Sequence, residues 1–511
     1  MVATTPAPVR QASPLAPAKV LRARRRVERT PEIVERFLEP RPSVAERMAA
    51  GKELRRRVPR SDHAIYSPPR SRPDPVEILI RQAKTRTPKL VPLRYARMLT
   101  SQFAFLRGAA AIMASDLRST PVTGLNVQAC GDMHLANFGI FASAERNLVF
   151  GINDFDETLP GPWEWDVKRL AASAFVCVRF LGGSKALAEE AVRAAVAAYR
   201  ARLREFSRMG HLELWYSRID ESAVLAALAS HPLSQAQAKQ YFSKARKHTN
   251  LQVLDKMTAI VDNRRRIVED RPLIVRETRT TEGQPIRQSL ELLLRSYLPT
   301  LNPDRRRLLA KYQIVDAARK VVGVGSVGLA CWVIFLHGRT DNDPLFLQVK
   351  EAQPSVLETH GGLKHGLESE GRRIVEGQRL IQGAPDIFLG WGRVGRFQLY
   401  VRQLRDMKGG IELHPGTSQA RTLPDYCELC GWALALAHAR SGAAAAIAGY
   451  VGTSEAFDDA LVKFARAYAD QNDRDYELLV KAARQRRIPV ARAAAQPRPP
   501  GPAKKTRKKR K

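Results

Sequence analysis

The stretch Gly131-Asp-Met-His-Leu-Ala-Asn-Phe-Gly139 and, one hairpin-length interval later, Asn153-Asp-Phe-Asp-Glu157 hold most of the chemistry legible in this 511-residue chain. Leu125-Asn-Val-Gln-Ala-Cys130 precedes the first cluster and Asn147-Leu-Val-Phe-Gly-Ile152 the second, so both clusters are expected at the ends of short, partly β-branched strands. A strand end is a place where a scaffold can hold side chains still. Asp132 and Asn137 are five residues apart and Asp154 follows seventeen later. Phosphoryl transfer uses such a spacing: one Asp orients the attacking hydroxyl, an Asn five residues on holds a metal, and an Asp on the next hairpin holds the metal that bridges the phosphates. On this reading Asp132 is the general base, and Asn137 and Asp154 are ligands of Mg²⁺, a hard cation that takes one or two carboxylates beside water and phosphate oxygens.

Two other readings use the same residues. Asp and Asn are common in turns for backbone reasons alone. Asp132-Met-His134 is also how a two-metal phosphoesterase site opens. That site should show a later Gly-Asn-His followed by Asp or Glu, and no Gly-Asn-His occurs in the chain.

At these residues the chain resembles the aminoglycoside phosphotransferase and choline kinase branch of the protein-kinase-like fold, whose catalytic loop reads H-G-D-x-H-x-x-N. Gly131, Asp132, His134 and Asn137 match in place, and Cys130 stands where the first His would be. Asp154-Phe155-Asp156 resembles the metal-binding D-F-D or D-W-E of that branch, which implies Asp156 as an auxiliary ligand. Glu164-Trp-Asp-Val-Lys-Arg-Leu170 resembles its following W-D-L-x-R helix, which implies that Asp166 braces the catalytic loop, with His134 in a supporting place. The whole pattern also resembles a bacterial family catalogued only as a domain of unknown function, over roughly residues 60–485.

Around residue 312 the character of the chain changes. Residues 312–322, 329–337 and 345–351 are apolar and strand-like, and Gly323-Val-Gly-Ser-Val-Gly328 lies between the first two. A lone G-x-G-x-x-G is a weak signal, and a dinucleotide fold would need a helix directly after it. Strand, glycine turn, strand, turn, strand with a terminal Lys is instead the kinase arrangement, in which backbone N–H groups cover the phosphates and the Lys holds them. Gly323, Gly325, Ser326, Gly328 and Lys350 are therefore the expected nucleotide clamp. An acid from the helix at 366–382 should pair Lys350; Glu376 is chosen because its surroundings resemble a motif of the unknown-function family, and Glu370 stays open. Residues 387–391 and 397–404 complete a five-stranded lobe, and Arg405-Asp-Met-Lys-Gly-Gly410 reads as a hinge.

The expected fold class is thus α+β: a protein-kinase-like two-lobe fold, circularly permuted, with the helical catalytic lobe first and the five-stranded nucleotide lobe second. The expected division is a basic, largely flexible N-terminal arm at 1–60, a helical catalytic lobe at 61–305, a β-rich nucleotide-binding lobe at 306–408, helices completing the helical lobe at 409–490, and a disordered basic tail at 491–511. Permutation is tolerated where termini are exposed and near one another. It also makes a geometric demand: the Lys350 ammonium and the Asp154 carboxylate must face one cleft within roughly 10 Å, with the glycine turn above and Asp132 below.

Composition sets the outer limits. With 44% hydrophobic residues the chain can build a large core. The formal charge of +33 is uneven: residues 1–60 hold 15 Lys/Arg against 6 Glu, and residues 491–511 hold 9 with no acid, so about half the excess lies at the ends. Such ends bind nucleic acid or anionic surfaces without sequence preference, or serve only solubility. Five scattered cysteines and an N-terminus without an apolar leader make the reducing cytoplasm the expected compartment. Cys427 and Cys430 form a C-x-x-C inside a helical run and are expected in the core. No stretch is apolar enough to span a bilayer. The resulting expectation is an ATP- and Mg²⁺-dependent phosphotransferase. Only ten residues separate Asp156 from Asp166, too few for a long peptide-docking segment, so the acceptor is expected to be small and hydroxylated or aminated. A catalytically inactive, pseudokinase-type binding or scaffold protein is the alternative from a different class.

Overall fold

In the computed structural model, residues 34, 37–261, 264–279, 283–321, 323–340, 342–404, 407–415 and 419–491 are described. Most of the N-terminal arm, the basic tail from 492 onward and the hinge residues Arg405 and Asp406 lie outside the described residues. The architecture is mixed α+β.

A helix that is apolar almost all round must sit inside a body of other helices, and helix α1 (Trp163–Phe180) is buried along nearly its whole length. Helix α2 (Lys185–Phe206) starts where the Ser184 hydroxyl accepts the Leu187 N–H, and it turns Ala188, Ala191, Val192, Ala195 and Tyr199 inward. Three further helices follow much later in the chain: α3 (Glu370–Gln382), α4 (Gln419–Ser441) and α5 (Ala456–Arg484). The small residues of α2 and α4 let these helices approach closely. A Cβ on Gly431 of α4 would lie 2.0 Å from the Ala195 carbonyl oxygen of α2. Cys427 and Cys430 are buried in this interface, and burial pushes both thiols well above their usual range. The C-x-x-C is core packing.

Four short strands carry the polar clusters. β1 (Asn126–Ala129) pairs with β4 (Leu159–Pro162), and β2 (Phe138–Ala142) pairs with β3 (Leu148–Ile152), both antiparallel. β5 (Thr258–Val261) and β6 (Arg264–Ile267) form a separate hairpin inside the expected helical lobe, directly after a helix that ends at Met257. The larger sheet contains β7 (Ile274–Val275), β8 (Gln313–Lys320), β9 (Cys331–His337), β10 (Pro344–Glu351), β11 (Gly390–Val394) and β12 (Phe397–Gln403), in the order β11-β12-β10-β9-β8-β7, all antiparallel. The five expected strands are all present, and β7 makes the sheet six-stranded. Two residues are too few to leave a periodicity signal in sequence. β13 (Gly409–Gly410) pairs with β2. Helix Val44–Glu53 lies in the N-terminal arm, and the region 75–117 holds four α-helices.

Both faces of the sheet are covered, which is why β10 reads as a continuous apolar run. Leu345, Leu347 and Val349 pack on Leu293 and Tyr297 of the helix Ile286–Tyr297. Phe346 packs on the opposite face with Phe335, Val253 and Leu254. Lys350 and Gln348 share the Phe346 face by the two-residue alternation of a strand. The main helical core, by contrast, joins residues 76–245 to residues 423–488. Both ends of the described chain therefore build one body, with the sheet between them in sequence. Among the described residues no helix is long and apolar enough to cross a membrane.

Gly431→Ala is expected to cost about 1–3 kcal/mol, the usual penalty for forcing extra atoms into a close-packed contact. Urea unfolding measures this directly; an unchanged midpoint would mean that α2 and α4 can part freely.

Candidate active site in the cleft between sheet and helices

The loop after β1 is fixed from below. Asp166, in the first turn of α1, accepts the Cys130 N–H at 2.6 Å and the Gly131 N–H at 2.9 Å. His438 of α4 stands behind it, with Nε2 3.3 Å from Asp166 Oδ2 and Nδ1 2.9 Å from the Tyr199 hydroxyl. Gly131 has φ +82°, and a Cβ there would fall 2.5 Å from the Glu157 carbonyl oxygen, so only glycine fits. Cys130 is buried against Asp166. Within the loop the Asn137 amide donates to the Asp132 carbonyl at 2.6 Å, and Leu135 N–H donates to the Ser173 hydroxyl at 2.9 Å.

Asp132 is held by a residue that the sequence reading did not single out. Arg169, one turn after Asp166 on α1, donates to Asp132 Oδ1 from Nε at 2.9 Å and from Nη2 at 2.5 Å. The other carboxylate oxygen has His134 Nε2 at 3.6 Å. Burial raises the Asp132 pKa, against the pull of Arg169 and Arg107. Burial also keeps His134 neutral, well below its usual titration range, and its Nδ1 has no hydrogen-bond partner.

The second cluster is tied to the first through Asn153 N–H, which donates to the Asn137 carbonyl at 2.8 Å. Here the sheet and the helical body meet. Lys350 Nζ donates to Asp156 Oδ2 at 2.7 Å and lies 3.9 Å from Asp154 Oδ1, well inside the distance expected. The Tyr400 hydroxyl donates to Asp156 Oδ1 at 2.5 Å, and the Ser326 hydroxyl to Oδ2 at 3.3 Å. Burial works to raise the Asp156 pKa, but Lys350 and Tyr400 override it and bring it to about 2. Asp132, Asn137, Asp154 and Asp156 line one side of a cleft of about 1330 Å³, and Gly325, Ser326 and Gly328 line another. Lys350 itself is sealed beneath Asp156, with 6% of its side chain exposed.

The glycine turn is anchored to the N-terminal helices. Arg97 donates to the Gly323 carbonyl, and Arg86 Nη1 donates to the Val327 carbonyl at 2.6 Å. Gly323 and Gly328 take φ +63° and +92°. Strand β9 begins three residues after Gly328, so the helix that a dinucleotide fold places there is replaced by a strand.

One expected pairing is corrected. Glu376 does not meet Lys350; it is half-exposed on α3 and pairs with Arg372 Nε at 2.6 Å. It lies about 200° round the helix from the buried Ile374, which turns it to solvent. Glu370 is engaged by Arg373 Nε at 2.5 Å and by His365 at 3.2 Å. The carboxylate that pairs Lys350 is Asp156. Helix α3 meets the acidic loop through a cation instead: Arg373, fully buried, donates to the carbonyls of Thr158 at 2.5 Å, Asp156 at 3.0 Å and Gln353 at 2.8 Å.

Two side-chain oxygens of the cleft remain as acceptors suited to a hard cation. Asp154 Oδ1 has no hydrogen-bond partner, and Asn137 has spent its amide N–H on Asp132, which leaves its side-chain oxygen as the acceptor. Asp156 is already engaged by three donors. Lys408 and Arg402 both donate to the Asn153 carbonyl, at 3.3 and 3.4 Å. Burial, with repulsion from Arg402, lowers Lys408 to about 7. Among the described residues the group of three His, Cys or carboxylate side chains within common reach is Glu358, His365 and Glu370. His365 Nδ1 accepts the Leu367 N–H at 3.2 Å, so Nε2 carries the proton that faces both glutamates, and the group is an internal hydrogen-bond cluster.

A family model described as an uncharacterized protein conserved in bacteria (DUF2252) matches residues 86–482, and the chain belongs to that family. No curated protein and no solved structure matches.

Glu157, beside Asp156 in the cleft, supplies a pH test. Burial raises its pKa from 4.5 to about 7, although it accepts the Val356 N–H at 2.6 Å and faces Arg373. Between these two values the folded chain keeps a proton that the unfolded chain releases. Stability therefore falls as pH rises through this window, and the loss is complete above about 7. Glu157→Gln is expected to flatten the fall, as read by urea unfolding at a series of pH values. Equal slopes in both proteins would mean that Glu157 titrates normally.

Proposed function

We propose that this member of the bacterial family is an ATP- and Mg²⁺-dependent phosphotransferase, built as a circularly permuted protein-kinase-like pair of lobes and acting on a small hydroxylated or aminated acceptor. The observation that carries the reading is the meeting of Lys350 with Asp154 and Asp156 across 194 residues of sequence, beside Asp132 and under the glycine turn. A phosphotransferase needs those parts on one nucleotide: backbone N–H groups over the phosphates, a Lys on their oxygens, a carboxylate and an amide oxygen for the metal, and a base for the acceptor.

The residues divide the work. Asp132 accepts the proton of the acceptor hydroxyl as the hydroxyl oxygen attacks the terminal phosphorus, and the bond to the leaving nucleotide diphosphate breaks with its electron pair. Arg169 holds one oxygen of Asp132, which fixes the direction in which the other points. Asp154 and Asn137 would hold Mg²⁺ through their side-chain oxygens, and the ion would supply positive charge against the phosphates. Ser326 and the backbone of Gly325 and Gly328 stand over the phosphate path. Lys350 is held ready by Asp156 and Tyr400 at the edge of that path.

The same closed ion pair favours a second reading, in which the cleft binds a nucleotide without turning it over. In that case Asp156 would keep Lys350, and the protein would act as a binding or scaffold module. Turnover assays separate the two. The phosphoesterase reading gains nothing from the geometry, because His134 is buried on Asp132 rather than set beside further ligands.

Asp154→Asn is expected to abolish the Mg²⁺-dependent rise in melting temperature that ATP gives the parent protein, with the melting temperature in plain buffer unchanged. Undiminished Mg²⁺·ATP affinity in the variant would remove Asp154 from the metal site.

Asp132→Asn is expected to leave ATP affinity nearly intact and to slow turnover by roughly 10² to 10⁴, the usual contribution of a positioned general base. A parallel loss of binding and turnover would make Asp132 a ligand rather than a base.

A further inference from the structure

Buried cations normally have a carboxylate to meet, because an unpaired charge away from water is costly. Three arginines of the N-terminal region depart from this rule at the cleft wall. Arg94 is 1% exposed, and it donates from Nη2 to Gln82 at 3.0 Å and to the Gly108 carbonyl at 3.1 Å. Its Nε and Nη1 are buried with no partner. Arg86 uses Nη1 on the glycine-turn carbonyl of Val327 and leaves Nε without a partner. Arg107 has an unpartnered Nε and faces the charges of Asp132 and Asp154. All three line the cleft, and among the described residues none makes an ion pair within 4 Å.

We propose that Arg86, Arg94 and Arg107 form an anion subsite beside Asp132 that takes a phosphate group. Guanidinium groups match phosphate oxygens through paired N–H donors, and each of the three keeps donor capacity that no protein group uses. The electrostatics of the pair Arg86 and Arg94 agree with this: burial, reinforced by Arg86, lowers the Arg94 pKa to about 9, and burial lowers Arg86 to about 10 against the pull of Glu157 and Glu351. A ligand that brings negative charge relieves both. The subsite stands on its own geometry; only the source of the phosphate rests on the phosphotransferase reading. The closeness of Arg107 to Asp132, the proposed base, points to a phosphorylated acceptor, and the nucleotide's own phosphates are the other source of the same chemistry.

The test is calorimetric titration of inorganic phosphate, without nucleotide or Mg²⁺, into the full chain, Arg107→Gln and Arg94→Met. The parent protein is expected to bind phosphate, and each substitution to weaken binding about tenfold or more, the equivalent of one charged hydrogen bond. Arg107→Gln decides alone if Arg94→Met does not fold, since Arg107 is partly exposed. Absence of phosphate binding by the parent, or an unchanged affinity in Arg107→Gln, overturns the subsite. Repeating the titration on protein saturated with a non-hydrolysable Mg²⁺·ATP analogue identifies the source. Phosphate that still binds assigns the subsite to the acceptor, and phosphate that is displaced assigns it to the nucleotide; either result keeps the subsite. A parent protein that binds phosphate but no nucleotide would sink the phosphotransferase reading while leaving the arginines in place.

Discussion

The ion pair between Lys350 and Asp156 is the constraint on which the rest of the site depends. Taking two charges out of water is costly, and their attraction offsets that cost only when further hydrogen bonds satisfy both groups. Asp156 receives them from Tyr400 and Ser326, and Lys350 lies 5.4 Å from the Tyr400 ring. Tyr400 can do this because it sits directly opposite Lys350 in the β10–β12 register. A slip of one residue would turn Lys350 to the face of Leu347 and Val349 and leave Asp156 without its cation. The sheet register, the acidic loop and the glycine turn are therefore settled by one buried contact.

Helix α3 is fitted to that contact rather than part of it. Arg373 gathers three carbonyls, including that of Asp156, and Gln382 donates to the Ile152 carbonyl at 2.8 Å. Backbone oxygens that point into a junction between sheet and helices have no strand or helix partner, and a buried guanidinium with several donors satisfies them at once. Glu376 is left free to face water.

What could be read from the sequence follows from how local each feature is. The five longer strands and the two polar loops rest on short-range patterns, apolar runs bounded by polar turns, whereas the brace from Asp166 came only from the resemblance of the Glu164–Leu170 stretch. Lys350 was recognisable because it ends an apolar run after a glycine turn. Its partner was not, since choosing among Asp156, Glu370 and Glu376 requires the register and the rotation of α3. Tyr400 and Arg402 were hidden for the same reason: they are cross-strand neighbours of Lys350 and Gln348, and such pairs are visible only once strands are aligned. Arg169 lay within the quoted Glu164–Leu170 stretch, one turn after Asp166, and helical spacing alone would have placed both on one face. The arginines at 86, 94 and 107 carry no motif; they matter only because one bend and two separate helices bring them to one wall.

The order of the chain adds a last consequence. The loop that carries Asp132 is supported by Asp166, but Asp166 is itself met by His438, 272 residues further on. Tyr426, on the same helix, donates to the Leu135 carbonyl at 3.0 Å. Both contacts depend on α4 lying close against α2, which Gly431 permits. The loop and its strands come early in sequence, yet their geometry is complete only when the C-terminal helices have docked. Long-range contacts of this kind are paid for in loop-closure entropy before they return any energy. The site is therefore assembled by the same step that joins both ends of the described chain into one core, and its rigidity belongs to that core rather than to the loop residues themselves.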